Sequence, residues 1–279
     1  MKVAHLILTY TNPKLTERLI KRLNQPEFTF YVHVDKKLSI EPYLYLRKYT
    51  NVFLIHNRED VRWAGFNTIK ATFKCIQEIA ATEVKYDYIN FISGQDYPIK
   101  SGKYMLEFFK KNKGKQFIEY ASIEDQWIEA LPRITNYHFA NFTFRGRYRL
   151  EKIINFFLPK RELPDNLKPY GKSMFWMLTM DCALYVVDFF REHKELARFF
   201  LFTWGSDEFA FQTVLMNSHY KDSVVNNDFR YIDWSQGGAH PKILTEADLP
   251  KIKASNDLFA RKFDENMSDE FMDTLDSLN

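Results

Sequence analysis

Short apolar runs alternate with segments of helical periodicity through the first part of the chain. Val3 to Leu8 is β-branched and aliphatic and stops at the polar turn Tyr10-Thr11-Asn12-Pro13, the pattern of a strand buried on both faces. Lys14 to Leu23 places Leu15, Leu19, Ile20 and Leu23 at helical spacing. Phe28 to Val34 reads as a second strand ending at Asp35-Lys36-Lys37, Val52 to Ile55 as a third, and Asn67 to Ala80 as a second helix. Tyr86 to Ile92 is a fourth strand, closed by Ser93-Gly94-Gln95-Asp96-Tyr97-Pro98. This β-α-β-α-β order predicts an α/β fold with a mostly parallel sheet and helices on both faces.

The later pattern is less regular. A helix is expected over Lys100 to Phe109, a strand over Gln116 to Tyr120, a strand over Phe175 to Thr179 and a helix over Asp181 to Glu192. Glu208 to Met216 reads as helix, Arg230 to Asp233 as strand and Glu270 to Leu278 as a terminal helix. Ser122 to Pro169 has no clean period. It carries Trp127, Arg133 and several further arginines, then an apolar helix-like piece around Ile153 to Leu158, and is expected to be an inserted, partly mobile region over the sheet edge. With no linker, repeat or low-complexity tract, a single domain over 1–279 is expected, with a donor-binding half at about 1–120 and an acceptor half at about 121–279.

Composition narrows the class. The 279 residues are 46% hydrophobic and 27% charged, which is globular rather than disordered. Twenty-six Phe and 16 Tyr raise the aromatic share to 17%, which fits both a Phe-rich core and sugar-binding surfaces. A net charge of +3 is too small for a nucleic-acid surface. Two cysteines, Cys75 and Cys182, lack metal-ligand spacing and argue against a disulfide framework, so a reducing compartment is the default. The N-terminal apolar run is too short for a signal peptide, and no stretch approaches the roughly 20 apolar residues of a membrane span, so a soluble, cytoplasmic protein is expected.

In open α/β sheets ligands gather beyond the carboxyl ends of the strands. The residues there include Thr9, Tyr10, Asp35, Lys36 and the Gly94 to Asp96 loop, with neither a G-x-G-x-x-G nor a Walker pattern. There is also no Asp-x-Asp of the kind that holds a nucleotide-sugar diphosphate through a divalent cation; Glu246-Ala247-Asp248 follows Thr245 and reads better as a helix cap. Without a metal, fixed cations must offset negative charge on a departing diphosphate. Arg261 and Lys262, between Phe259 and Phe263, and Lys242 are candidates, although such pairs also occur as solvated surface. Ser206-Asp207-Glu208 opens an apolar helix: Ser206 or Asp207 could cap it, and a carboxylate at that junction could equally point into a cleft and take a hydroxyl proton.

Several segments in order resemble one family over residues 4 to 264. They include Tyr31-Val32-His33-Val34-Asp35-Lys36-Lys37, Val61-Arg62-Trp63-Ala64-Gly65, Phe91-Ile92-Ser93-Gly94-Gln95-Asp96-Tyr97-Pro98 and Gly171-Lys172-Ser173-Met174-Phe175-Trp176. Ser206-Asp207-Glu208-Phe209 and Leu258-Phe259-Ala260-Arg261-Lys262-Phe263 complete the set. The chain is similar to the core-2/I-branching β-1,6-N-acetylglucosaminyltransferases and the related protein xylosyltransferases of glycosyltransferase family 14, as a bacterial-type soluble member. The resemblance implies a GT-A-like (Rossmann-like) fold, a UDP-sugar donor carrying GlcNAc or xylose, a glycan or glycolipid acceptor, inversion and no metal. Carried over by position, Glu208 is the catalytic base, and Arg261 and Lys262 meet the donor diphosphate. Lys242 is the nearest counterpart of a phosphate-binding arginine. Leu8 and Asp35, with Gly94 and Asp96 beside them, belong to the donor site, and Glu119 and Trp234 to the acceptor site. Peripheral association with a membrane is left open. The other readings are a metal-dependent transferase of another GT-A family and a module that binds a nucleotide-sugar or glycan without turning it over.

Overall fold

The computed structural model describes residues 1–278. In chain order its regular elements begin with β1 (Val3–Thr9), α1 (Pro13–Leu23), β2 (Phe28–Val34), β3 (Val52–Leu54) and α2 (Asn67–Ala80). Then come β4 (Tyr88–Ser93), β5 (Asp96–Pro98), α3 (Gly102–Lys111), β6 (Gln116–Ser122), α4 (Leu131–Thr135) and α5 (Arg147–Phe157). β7 (Tyr170–Thr179), α6 (Met180–Glu192), α7 (Lys194–Leu201), α8 (Ala210–Met216) and β8 (Val224–Val225) follow. β9 (Arg230–Ile232), α9 (Leu249–Ala254), β10 (Phe259–Arg261) and α10 (Asp269–Ser277) end the chain. The architecture is mixed α/β with a mostly parallel sheet flanked by helices, as the alternation predicts. Among the described residues no helix is long and apolar enough to cross a membrane.

Two compact units are interleaved along the chain. The first comprises 1–56, 84–114 and 229–279. Its strands β3, β2, β1 and β4 run parallel, with Leu6 opposite Tyr31 on one side and Phe91 on the other. All seven residues of β1 are buried, which is why its sequence is continuously apolar instead of alternating. Pro13, read as part of the turn, opens α1, where its missing N–H costs nothing. A second, three-stranded sheet, β5-β10-β9, joins Asp96–Pro98 to Phe259–Arg261 and Arg230–Ile232. The sequence pattern did not predict two of these strands, because three residues are too few to show a period.

The second unit comprises 57–83 and 115–228. β6 pairs antiparallel with β7 and parallel with β8, and α6 packs against α2, α7 and α8. In the segment between β6 and β7 the helix-like piece expected around Ile153 to Leu158 is part of α5, and α4, which had no clean period, precedes it. The segment is tied down by the buried Arg161, whose guanidinium donates to the carbonyls of Asn136 (2.9 Å) and Phe202 (2.7 Å). The capping expectation is half right. Thr245 and Asp248 do form a capping box, whereas neither Ser206 nor Asp207 caps a helix. Gly205 leads into a single 3-10 turn over 206–208, and α8 begins only at Ala210.

Candidate active site

In the second unit Glu208 ends the turn that Gly205 starts. Gly205 has φ +72°, a left-handed conformation that glycine adopts without steric cost. Gly171 on β7 sets the distance from the other side. A Cβ there would lie 2.7 Å from the Glu208 carbonyl oxygen and would collide with the Phe209 ring, so only glycine lets the strand pass this close. Arg133 Nη1 donates to Glu208 Oε2 at 2.6 Å. The guanidinium is itself held between indoles, 5.0 Å from the Trp127 ring centre and 4.6 Å from that of Trp204. Trp127 stacks on Phe209, and Trp63 meets Trp204 edge-on.

Glu208 keeps 35% of its side-chain surface accessible, yet most of the carboxyl's surroundings are protein. Desolvation, with the adjacent Asp207 charge, raises its pKa to about 7 against the opposing pull of Arg133 and Lys172. Desolvation also raises Asp207 to about 6. A carboxylate in that range can accept a proton at neutral pH and release it afterwards.

Glu119 lies in the same unit, where the register of β6 against β7 slips between Ile118 and Tyr120. Such an irregularity re-aims a side chain. Gln212 of α8 fixes it by donating to the carbonyls of Glu119 (3.2 Å) and Ser173. Burial and Asp228 push the Glu119 pKa up, and Lys172 acts against them. Lys172 thus faces the fields of both Glu119 and Glu208, with its ammonium 5.1 Å above the Trp127 ring.

The other expected residues belong to the first unit. The Gly94 amide donates to the Leu8 carbonyl at 2.8 Å, and the Asp35 amide to that of Thr9 at 2.9 Å, so the ends of β1, β2 and β4 are bound together. Asp35 accepts from the Lys37 amide (3.0 Å) and pairs with its ammonium (3.3 Å). Asp96 is 0% exposed: one oxygen accepts from Arg261 Nη1 at 2.7 Å, the other from the Ser93 amide at 3.0 Å, and Arg230 Nε lies 3.8 Å away. Asp96 therefore holds Arg261 rather than presenting a carboxylate to solvent. Lys262 is half-buried beside Arg261, and burial, then that neighbouring charge, lower its pKa. Among the described residues no carboxylate pairs with its ammonium. Lys242 pairs with Asp248 at 2.5 Å, while its carbonyl accepts from the Lys262 amide at 3.4 Å. Trp234 follows β9 and is exposed. Among the described residues no group of three or more His, Cys, Asp or Glu side chains converges to hold a metal ion.

The family model for the Core-2/I-Branching enzyme matches residues 3–255. The chain belongs to the core-2/I-branching enzyme family. It is 25% identical over 274 residues to xylosyltransferase oxt of Drosophila melanogaster, covering 88% of this chain and 30% of the relative. It is 25% identical over 269 residues to the human N-acetyllactosaminide β-1,6-N-acetylglucosaminyl-transferase, covering 90% of this chain and 65% of the relative. The chain thus spans about a third of the length of the xylosyltransferases it matches. Among solved structures, the apo form of mouse xyloside xylosyltransferase 1 aligns with 92% of this chain and 97% of its own, at a TM-score of 0.41 and 11% identity.

For this core-2/I-branching family member, sequence reasoning missed Arg133 as the partner of Glu208 and Arg230 as the second guanidinium near Asp96. The pairs are 75 and 134 residues apart, and no local period links them. The one local signal was Trp127 six residues before Arg133 in an otherwise unassigned arginine-rich stretch.

Proposed function

We propose that the chain is a glycosyltransferase that moves GlcNAc or xylose from a UDP-sugar to a hydroxyl of a glycan acceptor, with inversion and without a metal ion. The observation that carries this reading is the Glu208 carboxylate: partly accessible, raised to about 7, and braced by one arginine. In the proposed step the acceptor O–H gives its proton to Glu208 and the freed oxygen attacks the anomeric carbon. The bond from that carbon to the phosphate oxygen breaks on the opposite face, and UDP leaves with the electron pair. A single displacement of this kind inverts the centre. Lys262 and Arg261 would meet the diphosphate, and an anion there offsets the burial and the neighbouring Arg261 charge that lower the Lys262 pKa. The missing Asp-x-Asp agrees with cations in place of a divalent ion. The choice of sugars follows the names of the relatives.

The test is UDP release from a panel of UDP-sugars and glycan acceptors, in EDTA, by the wild type and Glu208→Gln. Glu208→Gln should lose about 10²–10⁴ in turnover while still binding UDP by calorimetry. Near-wild-type turnover would remove Glu208 from the role, and a strict Mn²⁺ requirement would overturn the metal-free mechanism.

A further inference from the structure

Helix α5 is amphipathic the wrong way round for a surface helix. An ordinary one turns its apolar stripe to the body and its polar face to water. Here the polar side chains make the attachment. Glu151 Oε1 accepts from the Phe139 amide at 2.8 Å, Asn155 Oδ1 accepts from the Tyr137 amide at 2.7 Å, and Asn155 Nδ2 donates to the Tyr137 carbonyl at 2.8 Å. Arg147 joins them by donating to the Phe142 carbonyl at 2.8 Å. Leu150, Ile153 and Phe157 fall on one outward stripe at i, i+3 and i+7, flanked by Phe156 and continued by Leu158. Phe156 is 82% exposed and Phe157 76%, and no residue of α5 is buried. Phe156 and Phe157 pack edge-on against each other, 5.0 Å between ring centres.

Isolated exposed apolar residues are common, but a contiguous patch marks a binding surface. Charge selects what covers it. Residues 145–160 carry five cations, Arg145, Arg147, Arg149, Lys152 and Lys160, against one carboxylate, Glu151, which faces inward. Among the described residues no carboxylate forms an ion pair with Arg145, Arg149, Lys152 or Lys160. A second copy docked on the same patch would set these cations against themselves. An anionic bilayer surface instead offers negative headgroups to the cations and hydrocarbon to the phenylalanines, the geometry of a helix lying in the interface plane.

We propose that α5 with the following Leu158 is a membrane-surface anchor that seats this unit on an anionic lipid bilayer. The proposal is independent of the reaction assigned to Glu208, because it rests on no residue of that site. It is tested by sedimentation with vesicles of phosphatidylglycerol and phosphatidylcholine in equal parts, against vesicles of phosphatidylcholine alone. The wild type should pellet with the anionic vesicles and release as salt is added. Phe156→Ser with Phe157→Ser should weaken partitioning by about tenfold or more, and Arg149→Gln with Lys152→Gln by about 30-fold, what two cations at a charged surface contribute. Both variants, with Ile153→Ser as a further check, should keep the wild-type circular dichroism and unfolding midpoint, since these side chains are exposed. Undiminished binding by the phenylalanine variant, equal binding to neutral vesicles, or no wild-type binding would overturn the proposal. A wild-type dimer in solution that those two serines disperse would overturn it in favour of a second copy.

Discussion

Two carboxylates, one in each unit, receive opposite treatment. Asp96 has lost all contact with water and is given an amide, one guanidinium in hydrogen-bond contact and a second 3.8 Å away. Glu208 keeps part of its surface accessible and is given one guanidinium, with a second carboxylate, Asp207, next to it. A carboxylate enclosed by donors on both oxygens is held in place and serves as a fixed brace. One that is desolvated and stands beside a like charge is left able to exchange a proton near neutrality. The contrast sets a carboxylate held by its neighbours apart from the one proposed as the base, without reference to any motif.

That contrast can be broken in three ways, in falling order of effect. Asp96→Ala takes the carboxylate away from Arg261 and from the fully buried Arg230, and should cost about 3–5 kcal/mol, read from denaturant unfolding. A loss no larger than that of an exposed ion pair would mean that Asp96 is not a brace. Arg133→Met keeps bulk between Trp127 and Trp204 but removes the charge that favours ionised Glu208. The acid limb of the rate profile should move up by about 1 pH unit, and an unmoved limb would dissociate Arg133 from the base.

The smallest effect is on stability. The folded pKa of Glu208 is raised from 4.5 to about 7, so the folded state holds the proton more tightly than the unfolded chain. This group therefore leaves stability untouched below about 4.5, lowers it as pH rises from there to about 7, and adds no further change above. Glu208→Gln should flatten that fall in unfolding midpoint, and an unchanged slope would place the raised pKa elsewhere.

The parallel strands were legible because burial on both faces writes itself as unbroken apolar runs: Phe28–Val34 was expected and found with the same bounds. From its own pattern Glu208 read as a carboxylate at a junction, with capping the other explanation, and the family resemblance marked it as the base; the positive φ of Gly205 and the late start of α8 then showed a turn without a side-chain cap. Of the small sheet, Arg230 to Asp233 was legible as a strand, while β5 and β10 were hidden in loop and basic segments too short to show a period. Its key residue, Asp96, was legible as a loop carboxylate but not as a buried one. In α5 the apolar piece was visible, but its orientation was not. Periodicity reports that a stripe exists, and only the hydrogen bonds of Glu151 and Asn155 tell which side faces the body.

The two indoles around Arg133 also give the Glu208 carboxyl an optical signature. Indole emission responds to charge at close range, and Trp127 and Trp204 flank the guanidinium whose partner gains or loses a proton. Trp176 is fully buried and serves as a constant background. The ionisation of Glu208 thus has a spectroscopic witness inside the protein, readable without substrate, label or turnover.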